Sequence, residues 1–477
     1  MTLLSTGRPR TVPQPSAGVW PGLDDVPRRP LHAAVARTLV ERAVRRLPLT
    51  LVLPDGTRWG LGGPTLQLVR PERFFRRLGG DGLIGLGEAW MTGDLTAGDW
   101  RAEVPVTGDQ VNRATDELVA ALTVLARRMT RLVPAPLHWL RRVWQARPPR
   151  EEENTPSGAR ENIHRHYDLS NDLFELFLDP SMTYSAAWFE PRDGAAGEIS
   201  VTDAVAGGAV SAATGGATGG ATGGGLRPTE DPDAADLERA QLRKIDGVLD
   251  LARVRPGDRV LEIGSGWGAL AMRAATERGA TVTTLTLSTE QKDLAERRIA
   301  AAGLSDRIDV RLEDYRAHAE RHRGRYDAVV SVEMIEAVGE KYWPAYFTSV
   351  DRLLAPGGRF GLQAITIDHD RMLATRRGYT WIHKYVFPGG MLPSLPAIDQ
   401  VLARWTSLGV LETRRLGVSY ARTLRQWRHR FNDRLADVRR LGFDDVFVRM
   451  WNFYLAYSEA GFTAGYIDDW QLGIGRG

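Results

Sequence analysis

Arg259-Val-Leu-Glu-Ile-Gly-Ser-Gly-Trp-Gly268 joins a short apolar run to an acidic residue and three alternating glycines. A strand that hands its backbone to a nucleotide-like ligand has this form. Pro256 and Gly257 set a turn before the run, and Leu270 to Ala275 continue at helical spacing. Strand, loop and helix follow in order. Gly264, Gly266 and Gly268 permit φ values that a Cβ opposes, and the helix after them presents unpaired N–H groups. Taken alone, the stretch leaves two readings open, a nucleotide site and a merely tight strand-to-helix turn.

Outward from it the pattern alternates. Helices are expected over 237–251, 269–277, 289–302 and 342–354, and strands over 259–263, 281–287, 308–312, 326–332 and 359–364. Such alternation predicts an α/β fold with a doubly wound, mainly parallel sheet and ligands at the carboxyl ends of its strands. After Thr366 the chain reads as aromatic and helical, through Met450-Trp-Asn-Phe-Tyr-Leu-Ala-Tyr-Ser-Glu-Ala-Gly-Phe462.

Towards the N-terminus, residues 1–30 are rich in Pro, Arg and Gly and read as a flexible tail. A smaller α+β domain is expected over 31–150. It holds a hairpin between Leu47 and Leu61 turning at Asp55-Gly56, a helix from Pro71 and a helix from about Gln110 to Leu132. Between Leu125 and Arg150 stand Arg127, Arg128, Arg131, Arg141, Arg142, Arg147 and Arg150 with no acid, among Leu137, Trp139, Leu140 and Trp144. Two readings stand for this segment: a solvated helix face with a linker, and contact with an anionic membrane surface. No nucleic-acid module accompanies the charges, so no nucleic-acid partner is expected. The main domain is expected over 151–477, interrupted at 193–227 by a low-complexity loop with the repeat Ala-Thr-Gly-Gly.

With 477 residues, 43% of them hydrophobic, the chain has length for two or three domains and a sizeable core. It has no cysteine, which excludes disulfides, thiolate catalysis and Cys-ligated metals. Its nine histidines form no HExxH-type pair, so no metal is expected. Neither a signal-peptide apolar core nor a run of about 18 apolar residues is visible, which predicts a cytoplasmic protein that does not span a membrane.

A dinucleotide site would place an acid at the end of the second strand to hold a ribose diol. Here that strand ends in Leu285-Thr-Leu-Ser-Thr-Glu-Gln291, with Glu290 already inside the next helix. Hydroxyls and Gln291 replace the carboxylate, which argues against a nicotinamide cofactor. Glu262 at the first strand end remains a candidate for cofactor contact.

Four motifs now stand together: Leu261-Glu-Ile-Gly-Ser-Gly-Trp-Gly268, Thr286-Leu-Ser-Thr-Glu-Gln291, Glu333-Met-Ile-Glu-Ala-Val-Gly339 and Tyr385-Val-Phe-Pro-Gly-Gly390. With His166-Tyr-Asp-Leu-Ser-Asn-Asp-Leu-Phe174 and Met182-Thr-Tyr-Ser-Ala-Ala-Trp188 upstream, the chain resembles the cyclopropane-fatty-acid synthase family of S-adenosylmethionine-dependent methyltransferases. The match spans about 160–475, and Gly87-Glu-Ala-Trp-Met91 resembles the family's N-terminal region. The resemblance implies a class I methyltransferase sheet and methyl transfer to a cis double bond of a phospholipid acyl chain. It implies S-adenosylmethionine contacts from Tyr184, Ser185, Glu262, Gly264, Gly266, Trp267, Gly268, Thr286, Leu287, Ser288, Gln291, Asp314 and Tyr315.

An isolated alkene is a poor nucleophile, so positioning, exclusion of water and aromatic faces must carry the reaction. Tyr184, Trp188, Tyr385, Phe387 and Tyr420 are the aromatic candidates. In the family a bound bicarbonate is thought to remove the final proton. The resemblance carries its site onto Glu336, Ile365 and Tyr420, while Ser185 stands where Cys is usual and Gln363 where His is usual. Both can hydrogen-bond an anion, but neither supplies an imidazolium charge.

Loss of a methyl proton with ring closure gives cyclopropane, and a hydride shift before proton loss gives a methylene group. The Gln-Ala-Ile-Thr pattern and the absent Cys resemble actinobacterial relatives associated with tuberculostearic acid, which implies the 10-methylene product and a partner reductase. A homodimer is left open. The expected location is the inner face of the membrane, peripherally bound. A small-molecule methyltransferase and a non-catalytic membrane-binding protein of the same fold are the alternatives.

Overall fold

The computed structural model describes residues 20, 22–98, 100, 107–132, 170–190 and 236–477, with side chains to 128 in the first long helix. Most of the expected tail, the basic segment beyond Arg128, His166 to Leu169 and the loop 193–227 lie outside the described residues.

Two sheets form. The smaller comprises β1 (Thr50–Val52), β2 (Arg58–Gly60), β3 (Thr65–Leu68) and β4 (Leu95–Ala97) in the order β2-β1-β3-β4. The hairpin of β1 and β2 turns at Asp55-Gly56, where Gly56 takes φ 85° and the Asp55 carboxylate accepts the Thr57 N–H at 2.9 Å.

The larger sheet has seven strands: β5 (Arg259–Ile263), β6 (Thr281–Thr286), β7 (Ile308–Leu312), β8 (Tyr326–Val332), β9 (Leu354–Ile367), β10 (Gly409–Arg415) and β11 (Ile467–Gly475). Their order is β10-β11-β9-β8-β5-β6-β7. The pairs from β7 through β9 are parallel, and β11 runs antiparallel to both its neighbours. β5 lies between β6 and β8, so the order reverses there and a crevice opens beyond the carboxyl ends of these strands.

The helices between strands run over Ala269–Arg278, Thr289–Ala301, Tyr315–Arg321 and Trp343–Leu353. Ser288 caps the second of them, its Oγ accepting the Gln291 N–H, a contact that contributes about 1 kcal/mol.

The region after Thr366 is not helical throughout. β10 and β11 complete the sheet, and the reason they escape a sequence pattern is chemical. β10 reads Gly-Val-Leu-Glu-Thr-Arg-Arg, and β11 buries Asp469 and Gln471 completely where an apolar alternation is expected.

The N-terminal elements share an apolar core with the C-terminal helices Gly417–Asp433 and Asp445–Thr463. Trp90, Trp427, Trp451, Phe174 and Phe177 are all buried in it. Polar ties cross the same boundary. Trp90 Nε1 donates to the Arg449 carbonyl at 3.1 Å, and Arg428, paired with Glu459 at 2.9 Å within the C-terminal helices, reaches across to Asp116 at 2.7 Å.

Candidate active site

One cavity opens at the carboxyl ends of β5, β6 and β8. Of the residues expected to hold the cofactor, Tyr184, Ser185, Glu262, Gly264, Gly266, Trp267, Thr286, Leu287, Gln291, Asp314 and Tyr315 line it. Gly268 and Ser288 do not. A Cβ on Gly268 would meet the Ala295 methyl at 3.4 Å, so this glycine lets the turn pack on helix Thr289–Ala301. Ser288 is occupied as that helix's cap.

The turn after β5 is built from left-handed glycines, with φ 96° at Gly264, 46° at Gly266 and 89° at Gly268. The Gly264 and Ser265 N–H groups both donate to the Leu285 carbonyl at 3.0 Å, which locks the turn to β6. A Cβ on Gly266 would meet no atom within 4 Å, because that side of the residue faces the cavity. Trp267 is held by the Asn171 carboxamide oxygen at 2.8 Å and packs on Phe174 at 5.0 Å.

The lining fits S-adenosylmethionine. The Thr286 hydroxyl donates to Gln291 Oε1 at 2.9 Å, which fixes the amide and leaves its NH2 as the donor suited to a diol. Glu262 is buried, accepts from the Thr284 hydroxyl at 2.6 Å and is pushed up to about 8 by burial. A cationic ligand group beside it would restore its charge. Tyr184 brings an aromatic face to the wall; its hydroxyl pairs with Tyr454 at 2.8 Å and its ring stacks on Trp427 at 5.1 Å.

The expected catalytic residues gather beside this cavity, but Glu333 is their centre. Glu333 Oε1 accepts from the Gln363 amide at 2.7 Å and the Ala186 N–H at 2.8 Å, and its Oε2 accepts from the Tyr420 hydroxyl at 2.6 Å. Glu336 Oε1 accepts the Ile365 N–H at 2.5 Å while its Oε2 is buried without a partner. Burial, then the Glu333 charge, push the Glu336 carboxyl up to about 8.

Ser185 Oγ accepts from Lys244 Nζ at 2.5 Å. Behind them, Gln363 Nε2 also donates to Asp469 Oδ2 at 3.0 Å, and Gln471 Nε2 donates to Gln363 Oε1 at 3.0 Å. Of these groups Ser185, Lys244 and Glu333 line the cavity.

The residues do not fit a bound bicarbonate. Three of the donors expected to hold it are already engaged, Tyr420 and Gln363 by Glu333 and the Ile365 N–H by Glu336, while the Ser185 hydroxyl oxygen accepts from Lys244. Among the aromatic candidates only Tyr184 lines the cavity. Tyr385 donates to Glu88 at 2.9 Å, Trp188 lies under the Arg414 guanidinium at 4.3 Å, and Phe387 packs on Tyr454 at 5.8 Å.

Sequence reasoning missed Lys244, Glu333, Asp469 and Gln471 as members of the site. For Glu333 a signal was present, since Glu333-Met-Ile-Glu336 carries two acids at a spacing of three. Lys244 reads as one more charge on an amphipathic helix.

The family model described as mycolic acid cyclopropane synthetase matches residues 154–204 and 228–472. Over 467 residues the chain is 45% identical to the tuberculostearic acid methyltransferase UfaA1 of Mycobacterium tuberculosis, covering 96% of each. It is 28% identical over 417 residues to the cyclopropane-fatty-acyl-phospholipid synthase of Escherichia coli strain K12, covering 86% of this chain and 87% of that one. Among solved structures, the mycolic acid cyclopropane synthase CmaA1 complexed with SAH and CTAB superposes with a TM-score of 0.52 at 27% identity. That alignment covers 69% of this chain and 98% of CmaA1.

Proposed function

The chain belongs to the mycolic acid cyclopropane synthetase family of S-adenosylmethionine-dependent methyltransferases, and on that premise we propose that it methylates the cis double bond of unsaturated phospholipid acyl chains. The observation that carries this reading is the cavity in which the cofactor lining and the buried carboxylate cluster share one wall. When bound, S-adenosylmethionine supplies an electrophilic methyl group on a sulfonium.

The chain's own residues supply the rest. Gln291 and Glu262 orient the donor through a diol and a cationic group, and Gly266 keeps the wall open for it. Tyr184 offers its ring face to positive charge that passes to the acyl carbon. The Phe174, Phe177, Trp427 and Trp451 cluster behind it keeps that side of the wall dry.

The 10-methylene product, precursor of a methyl branch once a partner reductase acts, is supported by the higher identity to the tuberculostearic acid enzyme than to the cyclopropane synthase. Contact with an anionic membrane is supported by helix Pro30–Val44, where Leu31, Val35 and Leu39 are exposed at a spacing of four beside Arg42 and Arg45. No helix among the described residues is long and apolar enough to cross a membrane.

The test is direct. Vesicles of oleoyl phospholipid incubated with methyl-labelled S-adenosylmethionine should gain label in the acyl fraction. Label confined to small molecules, with lipid untouched, would refute the reading in favour of a small-molecule methyltransferase.

A further inference from the structure

Glu333 occupies a cradle made for an anion. Its three donors come from three separate parts of the chain: the segment before Trp188, β9 and helix Gly417–Asp433. It keeps part of its surface accessible, and it lies on the cavity wall with Ser185, Lys244 and Glu262. Resting on acyl methylation as the reaction, we propose that Glu333 is the catalytic base, taking the proton that the methylated chain must lose, so that no bicarbonate is recruited.

The backbone supports this assignment. Glu333 sits at φ 48°, a left-handed conformation that L residues rarely adopt. Among the described residues only Met182, Arg253 and Glu333 are non-glycine residues in that region, and Met182 and Glu333 both line the cavity. Strain of this kind persists where surrounding structure holds a side chain for use.

Ionisation within the cluster points the same way. Glu333, Glu336 and Asp469 are all raised by burial; the Glu333 charge raises the other two further, and the Glu336 charge raises Asp469. Three carboxylates beside one lysine cannot all be charged. Glu336 has one donor, the Ile365 backbone N–H, and an orphaned oxygen, and Asp469 has one, the Gln363 amide, and an orphaned oxygen, whereas Glu333 has three donors; the Lys244 charge favours ionisation of both Glu333 and Asp469. Hydrogen bonds to the charged form decide the contest, and Glu333 holds the negative charge. Its burial still leaves it more basic than a free carboxylate, which suits a base working near neutrality.

The step balances. The methyl carbon bonds to one alkene carbon as its bond to sulfur breaks, and the neighbouring carbon becomes cationic. A hydride shift moves the positive charge to the carbon bearing the new methyl. One methyl C–H bond then breaks, its electron pair becomes the methylene double bond, and the proton passes to a Glu333 oxygen. The neutral acid returns that proton to water. If the electron pair closes on the cationic carbon without the hydride shift, cyclopropane results by the same proton transfer.

Two variants test the assignment on the full chain with oleoyl phospholipid vesicles, in CO2-free buffer and with added bicarbonate. Glu333→Gln removes the base, and Glu333→Gly vacates the cradle while relieving the left-handed backbone. Wild-type turnover should change by less than about twofold with bicarbonate, and Glu333→Gln should lose about 10²–10⁴-fold with calorimetric affinity for S-adenosylmethionine retained. Glu333→Gly should fall equally in CO2-free buffer and regain about tenfold or more with bicarbonate.

Binding of 13C-bicarbonate, followed by NMR line broadening, needs no turnover and should appear in Glu333→Gly alone. Broadening by the wild type, stimulation of the wild type by about tenfold, or Glu333→Gln within about threefold of wild-type rate overturns the assignment. A wild type that labels no acyl chain refutes the reaction instead, and the NMR result then still decides whether Glu333 fills the cradle.

Discussion

Lys244 places its ammonium 2.5 Å from Ser185 Oγ in a buried wall shared with Glu262 and Glu333. Burial pushes the Lys244 ammonium down to about 8, against the opposing pull of Glu333, Asp469, Asp179 and Glu262. Lys244→Met removes the cation that eases ionisation of Glu333, so the rising limb of the pH–rate profile should move to higher pH. At pH 7 the loss should be about tenfold, recovering as the pH rises, whereas the wild type should decline above about 8 as Lys244 loses its proton. Superimposable limbs in the two proteins would show that Lys244 only fills space.

Glu336→Gln separates a chemical role from a scaffolding one. The Glu336 carboxyl is raised from 4.5 to about 8, so its contribution to stability is complete below about 4.5 and lost as pH rises through about 8. Wild-type stability should therefore fall across that window by about 1 kcal/mol per pH unit more than the variant's, read from urea melts. We also expect turnover to fall more than cofactor affinity. Parallel stability curves would place Glu336 in solvent contact rather than in the buried cluster.

Gly266→Val should abolish measurable cofactor binding by calorimetry, because its side chain enters the cavity from a residue at φ 46°. Gly268→Ala should instead lower stability by about 1–3 kcal/mol with affinity largely kept, since its Cβ presses on Ala295 at φ 89°. Equal affinity losses in the two variants would contradict the division of labour between these glycines.

Arg428→Met leaves Glu459 buried and short of its strongest partner, 2.9 Å away. The expected cost is about 3–5 kcal/mol in chemical denaturation, since one half of a buried pair remains uncompensated. A loss below about 1 kcal/mol would mean that the Asp116 and Glu459 contacts of Arg428 add little to the packing around them.

Apart from helix Tyr315–Arg321, which no expectation covered, the elements from helix Leu237–Leu251 to β9 were legible because apolar period and glycine punctuation agree there. β11 was not, because Asp469 and Gln471 interrupt its pattern in order to support Gln363 from behind. The cofactor lining could be read from motifs that place backbone and small residues at a strand end. The identity of the central carboxylate could not. Glu333 and Glu336 are three residues apart, and only the left-handed turn at Glu333 brings it, rather than Glu336, under the Tyr420 hydroxyl.

That left-handed position has a genetic consequence. Codons for glutamate and glycine differ at a single base, and at φ 48° glycine is the residue the backbone accepts without strain. One nucleotide change would thus empty the cradle of Ala186, Gln363 and Tyr420 while relaxing the chain. An enzyme that owns its base and one that borrows it from solution would then be adjacent sequences on the same fold.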